Sequence, residues 1–323
     1  MVSLLITIDV ESDMPRWVVE PETTVENLKG IPRFQAMCDR LGVQPTYLMD
    51  YPVATRPEGE VFRAIVDDKR CELGAHLHPW TCPPYSANED RLQPTHPSRH
   101  TNSVQAEKLT ALTEAIEQRF GQRPTSYRAG RFGLNGAGLQ ILERLGYTVD
   151  TSATPFTDWT GEGGVDWRAA PEVPYFPDRQ QPWRRGSSPI LEVPVSIGWS
   201  RHIPDAVGRA IVKAPRRMRL VGLLNNPMFS LARLAWLYPS RDTLDDMKHL
   251  AEVQVTRGVP FLNVFFHSSE IWPGQSIYTR TEDDLDQYLN TLEEFFRFAI
   301  DQLGAVPRTL RDFRTHHLNE PHA

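Results

Sequence analysis

The chain opens on an apolar run, Val2 to Ile8, that ends at Asp9 and then breaks into polar and proline positions. A strand buried on both faces has this composition, and its carboxyl end delivers polar side chains to a site. From Thr24 to Leu41 the residues Val25, Leu28, Ile31, Phe34, Met37, Cys38 and Leu41 recur at helical spacing, with Gly42 where a C-cap glycine belongs. The spacing predicts a helix over 24–41 and a strand over 42–49. The unit then repeats: a helix near 60–68 precedes a strand at 71–76, one near 106–120 precedes 125–128, and one at 135–145 precedes 148–151. Strands are also expected at 190–197 and 259–266. Leu285, Tyr288, Leu289, Leu292, Phe295, Phe296, Ala299, Ile300 and Leu303 mark a closing amphipathic helix, with Thr281 and Asp284 as an aspartate variant of the capping box. Regular alternation of strand and helix predicts an α/β protein with a parallel sheet or barrel and a site at the carboxyl ends of its strands.

Composition narrows this picture. Of 323 residues, 40% are hydrophobic and 24% charged, and no apolar run approaches the length of a spanning helix. The first apolar run has no basic start and no small-residue cleavage site, so it reads as a strand and not a signal peptide. Cys38, Cys71 and Cys82 form neither a CxxC pair nor an even disulfide framework, which fits a reducing compartment and makes the cytoplasm the expected location. A formal charge of -6 gives no global attraction to nucleic acid. The stretch 159–189 is rich in Gly, Pro, Arg and Trp without a period and is expected to be a long loop covering a site. From 206 to 240 there is no acidic residue, yet Arg209, Lys213, Arg216, Arg217, Arg219 and Arg233 stand among apolar ones. Such an insertion suits a helical lid, a dimer surface, or peripheral contact with an anionic membrane. With no internal repeat, one catalytic domain over 1–323 carrying these two segments is the simplest organisation.

The candidate chemistry sits where strands end. If the chain stays extended past Ile8, Asp9 and Glu11 project to the same side, and the same period of two brings His76 and His78 together. Two histidines and one carboxylate leave open positions on a metal, the composition of a catalytic site, while the second carboxylate can act as a base. His267 follows the most apolar strand and can serve as a general acid near neutrality. Arg128 and Arg131 also follow a strand, where a fixed cation could orient Asp9 and hold it ionised.

Taken in order, five stretches resemble the motifs of the polysaccharide deacetylases, the NodB-homology or carbohydrate esterase family four: Thr7 to Glu11, Gly74 to Pro79, Tyr127 to Gly133, Asp158-Trp159 and Phe265 to His267. The segments Gly74 to Tyr85 and Phe266 to Gly274 are similar to a WalW-like subgroup linked to cell-surface polysaccharide genes. The resemblance implies an irregular (β/α) barrel, often seven-stranded, and zinc, with cobalt or nickel sometimes accepted. It implies Asp9 as base, Glu11, His76 and His78 as metal ligands, Arg128 as the partner of Asp9, and His267 as general acid tethered by Asp158. Trp159 is expected to wall the sugar pocket, with Arg131, Trp80 and Tyr127 as further substrate contacts. The sequence departs from the family in its Asp-x-Glu pair and in separating its histidines by one residue where the family uses three. The implied reaction removes an N-acetyl or O-acetyl group from an amino sugar, oligosaccharide or lipid-linked sugar. Alternatives are a deformylase, an allantoinase-like amidase, and an inactive carbohydrate-binding protein.

Overall fold

The computed structural model describes residues 1–20, 23–85, 92–200, 203, 205–213 and 233–319. Its strands are β1 (Ser3–Val10), β2 (Thr46–Met49), β3 (Glu72–Leu77), β4 (Ser126–Ala129), β5 (Val149–Asp150), β6 (Leu191–Glu192), β7 (Ile197–Trp199), β8 (Leu234–Trp236), β9 (Phe261–His267) and β10 (Val306–Arg308). The helices are α1 (Ile31–Leu41), α2 (Tyr51–Thr55), α3 (Arg63–Asp67), α4 (Asn102–Phe120), α5 (Gly136–Leu145), α6 (Asp205–Lys213), α7 (Leu244–Thr256), α8 (Glu282–Arg297) and α9 (Leu310–Asn319).

Every residue of β1 is buried, because β1 has neighbours along both edges. β9 pairs it from Ser3 to Asp9 on one edge; on the other, β10 takes Ser3 to Leu5 and β2 takes Thr7 to Val10. The eight-stranded sheet is parallel throughout and runs β10-β1-β2-β3-β4-β5-β6 with β9 also on β1. Setting β10 aside leaves seven strands, curled into the incomplete barrel expected, with β10 filling the corner beneath β2. No ladder joins β6 to β9. The seam is stitched around Asn263 instead: its N–H donates to Ser196 Oγ (2.9 Å), its carbonyl accepts from Ser196 N (3.3 Å), and its Nδ2 donates to Pro194 O (3.1 Å).

Alternation sorts each strand into two faces. Leu4, Ile6, Ile8 and Val10 of β1 pack outward into the main core beneath the helices, and Leu5, Thr7 and Asp9 face the barrel interior. The interior floor is apolar: Leu5, Leu48, Val149, Leu191 and Phe261 meet Leu310 and Phe313 of α9, which plugs the amino end of the barrel. The start of α9 is tied down by Leu310 N donating to Thr46 Oγ1 (3.1 Å) and Arg311 N to Glu72 Oε2 (2.9 Å).

The departures from expectation have local causes. The stretch 24–41 is a 3-10 turn over Glu26–Gly30 followed by α1, because Pro32 lacks the N–H that a helix interior requires and is accepted only in the first turn. The apolar run 190–197 splits into β6 and β7, since Pro194 cannot donate to a ladder. The stretch 159–189 is irregular, as expected, but pinned by isolated bridges that join Asp158 to Asp166, Tyr175 to Glu192 and Pro177 to Arg185. Arg216, Arg217 and Arg219 of the basic insertion lie outside the described residues. Arg209 donates to Arg168 O (3.1 Å) and Ala170 O (3.0 Å), and Arg233 pairs with Asp246 (2.8 Å) and Asp242 (2.9 Å), so these two cations are engaged with the body of the protein. Among the described residues, no helix is long and apolar enough to cross a membrane.

Gly30 links the fold to the strand-end chemistry, because a Cβ there would overlap the backbone carbonyl of Ile271, four residues beyond His267. Gly30→Ala should therefore destabilise the protein by about 1–3 kcal/mol. Urea denaturation reads this directly, and an unchanged midpoint would show that the contact does not constrain the fold.

Candidate active site

At the carboxyl ends of the strands the interior turns from apolar to ionic. Arg128, on β4, is fully buried and spends its guanidinium on the carboxyl ends of two other strands, β1 and β5. Nη1 donates to Asp9 Oδ1 (2.7 Å), Nη2 to Thr7 Oγ1 (2.8 Å) and Thr151 Oγ1 (3.2 Å), and Nε to Thr151 O (2.9 Å). Thr7 Oγ1 in turn donates to Asn263 Oδ1 (2.9 Å), and Asn263 Nδ2 to Thr151 Oγ1 (3.0 Å), so the network closes on itself. A charge this deep is tolerable only when paired and hydrogen-bonded, and here Asp9 pairs it while three further hydrogen bonds serve it.

Above this layer Glu11, His76 and His78 converge. His76 Nδ1 lies 3.0 Å from the Arg128 carbonyl, which makes Nδ1 the protonated nitrogen and leaves Nε2 with its lone pair directed into the site. The two Nε2 atoms are 3.1 Å apart, and Glu11 Oε2 contacts both rings, with His78 the closer. One ligand atom from each residue falls within 4.8 Å of the others. Three electron-pair donors gathered at one point, with few protons to separate them, form a set that fits a divalent cation, and two histidines plus a carboxylate leave positions open. Burial pushes Glu11 up, but His78, His76 and His267 outweigh it and hold the carboxyl well below the usual range. Burial lowers His76, yet Asp9 and Glu11 raise it overall; His78 is lowered by burial, with the His76 and Arg131 charges adding. Trp80 lies against the His78 ring at 4.3 Å, and Gly130 leaves room for that ring, since a Cβ would overlap His78 Nδ1.

His267 ends β9 beside Asp9, its register partner on β1. The carboxylate at His267 is Glu270, not Asp158. Glu270 is fully buried, accepts from His267 N (2.9 Å), Tyr238 Oη (2.5 Å) and Tyr288 Oη (3.1 Å), and stands 3.6 Å from His267 Nδ1. Burial acts against the charge on His267, but Glu270, joined by Glu11 and Asp9, raises its pKa to about 9. Asp158 instead accepts from Thr160 Oγ1 (2.6 Å) and pairs with Arg168 (3.4 Å).

These groups line a cavity of about 490 Å³ whose walls include Trp17, Trp80, Phe132, Trp159, Trp236 and Tyr238. Arg131, Trp80 and Trp159 are thus placed where substrate contacts are expected. Tyr127 is not: Arg128 faces the interior, so its neighbour faces outward, where Tyr127 packs against Tyr147 at 5.8 Å in the main core. Wall residues the sequence did not single out, Trp17, His96, Trp236, Tyr238 and Arg241, come from segments between the motifs. Three non-glycine wall residues, Trp17 (φ 56°), Arg131 (φ 53°) and Phe132 (φ 54°), are held in the left-handed region, a strain that collects at functional sites.

No protein-family model matches the sequence, and no curated protein matches it. Solved structures do share the fold. One is a protein assigned as a glycoside hydrolase/deacetylase from Parabacteroides distasonis, with a TM-score of 0.62 and 12% identity over 95% of this chain and 68% of that one. A protein assigned as a polysaccharide deacetylase from Pseudomonas aeruginosa PAO1 is similar at a TM-score of 0.54 and 17% identity, over 100% and 93% of the two chains. PuuE allantoinase is similar at a TM-score of 0.54 and 14% identity, over 100% and 92%. At these identities the likeness establishes the curled (β/α) barrel and leaves the reaction to be argued from the site.

The Glu270 contact has a titration signature. Because the folded pKa of His267 is raised, its contribution to stability is complete below about pH 6.5 and is lost as pH rises through about 9. In metal-free protein, Glu270→Gln should move the His267 pKa seen by NMR down from about 9 toward the ordinary value. A pKa that does not move would show that Glu270 does not hold the charge.

Proposed function

We propose that the chain is a metal-dependent hydrolase that releases an acyl group, acetyl in the first instance, from the nitrogen of an amino sugar. The observation that carries this reading is a single cavity holding a three-donor cation site, a separately anchored carboxylate and a histidine backed by a buried glutamate. Glu11, His76 and His78 are the residues that would hold the cation; zinc suits the two nitrogens and one oxygen, and cobalt or nickel are chemically close. When bound, such an ion supplies Lewis acidity toward a carbonyl oxygen and toward water.

The chain's own residues supply the rest. Arg128 fixes one oxygen of Asp9 at 2.7 Å and keeps it from swinging, while the other lies 3.8 Å from His76 Nε2, at the donor set. That second oxygen is placed to take a proton from water attacking an amide carbon. His267 lines the cavity with Glu270 on its Nδ1 side, carries a proton near neutrality and can give it to the departing amine. The tryptophan walls offer flat apolar faces to a sugar ring. A space of about 490 Å³ suits a short saccharide or a chain end as substrate.

The fold is shared about equally with an allantoinase and with a deacetylase, so the decisive assay offers different amides to one enzyme. Zinc-loaded protein is incubated with N-acetylated sugars, N-formylated sugars and allantoin, and the released acid or ureide product is measured. Acetate release is expected, with Asp9→Asn lowering kcat roughly 10²- to 10⁴-fold. Exclusive turnover of formyl or ureide substrates would change the amide; no turnover, or a fully active Asp9→Asn, would remove the hydrolase reading.

A further inference from the structure

Two guanidinium groups face the cavity and have no part in acyl transfer. Arg131 lies over the Trp80 ring at 5.8 Å and Arg241 over the Trp236 ring at 4.6 Å, and all four residues line the same space. Neither guanidinium has a carboxylate within hydrogen-bonding distance among the described residues. Arg131 makes no ion pair there, and the contact of Arg241 with Asp242 is 3.8 Å long. Asp242 is already committed: it pairs with Arg233 at 2.9 Å and accepts from Trp236 N at 3.0 Å. By contrast, the carboxylates of the lining are accounted for. Asp9 is matched by Arg128, Glu11 belongs to the cation site, and Glu162 is exposed at the edge.

A guanidinium over an aromatic face is attracted by the ring without spending its N–H groups, which stay available to fork onto an oxyanion. Backbone geometry supports a placed rather than a wandering Arg131. Its φ and ψ of 53° and 27° are left-handed, and the following Phe132 has φ 54°, a cost that persists only where the surroundings dictate it.

We infer that the substrate carries an oxyanion, a carboxylate or a phosphate, which Arg131 and Arg241 bind from the Trp80 and Trp236 sides of the cavity while the amide lies between Asp9 and His267. This deepens the proposed hydrolase reading and rests on it for the reaction, though not for the binding. A neutral amino sugar would leave Arg131 without a counter-charge and Arg241 with only the 3.8 Å contact to Asp242, whereas an acidic sugar or sugar phosphate would give both a close partner.

The test is equilibrium binding followed by tryptophan fluorescence, using the full chain both zinc-loaded and chelator-treated. The probes are N-acetylglucosamine, N-acetylglucosamine 6-phosphate and N-acetylgalactosaminuronic acid. At least one anionic probe should bind about 10- to 100-fold more tightly than the neutral sugar, and which one does so separates phosphate from carboxylate. That preference should survive chelation, collapse toward unity in Arg131→Gln and in Arg241→Gln, and be partly kept in Arg131→Lys, which retains charge but loses the fork. Thermal denaturation of each variant identifies any that fail to fold, and Arg131→Lys then carries the comparison. Equal affinity for all three probes, a preference lost on chelation, or one unchanged in both glutamine variants would overturn the inference. Arg-dependent anion binding without any hydrolysis would remove the hydrolase reading and leave this one standing. Hydrolysis without a charge preference would do the reverse.

Discussion

The ion pair between Arg128 and Asp9 is the constraint on which the upper half of the barrel depends. It is buried completely, and its remaining donors are spent on Thr7 and Thr151, which share Asn263. Removing one partner of such a pair costs about 3–5 kcal/mol because the other charge is left without water or counter-ion. The pair therefore ties β1 to β4, and Asn263 extends the tie to β9 and to the seam with the segment after β6. What would otherwise be an open edge between β6 and β9 is closed from within by polar side chains.

That layer also divides the barrel interior. Below it, Leu5, Val149, Leu191 and Phe261 meet the plug made by Leu310 and Phe313; above it, Asp9, Glu11, His76, His78 and His267 gather at the strand ends. β1 shows the gradient on one strand, its inward residues running Leu5, Thr7, Asp9 and continuing to Glu11. The chain thus excludes water from one end of a parallel sheet and concentrates charge at the other. Of the five non-glycine residues with positive φ among those described, three, Trp17, Arg131 and Phe132, lie at the charged end of this axis.

Much of this was legible in the sequence because a period of two survives folding. Asp-x-Glu and His-x-His each place like side chains on one face of a strand end, and β1 and β3 put the two pairs together. The shorter histidine spacing is accommodated, since both Nε2 atoms and Glu11 meet at one point. Tyr127 could have been excluded by the same rule once Arg128 was assigned to the interior. Glu270 was missed although it stands three residues after His267, because at that spacing a glutamate also reads as an ordinary helix-start residue; its meaning comes from Tyr238 and Tyr288, which only the fold delivers. Arg241 and Trp236 were hidden for a related reason: they lie in or beside a stretch read as a basic insertion, with no periodicity pointing to the cavity. β10 and α9 carry too few residues of regular pattern to announce that they plug the barrel.

The central claim is that Glu11, His76 and His78 form one cation site. The most direct measurement is the metal content of purified protein, read by elemental analysis after equilibration with zinc and removal of free ion, for the wild type and for the His76→Ala/His78→Ala variant. The account predicts close to one zinc per chain in the wild type and almost none in the variant, with the fold retained. Zinc bound equally by both proteins, or by neither, would contradict it.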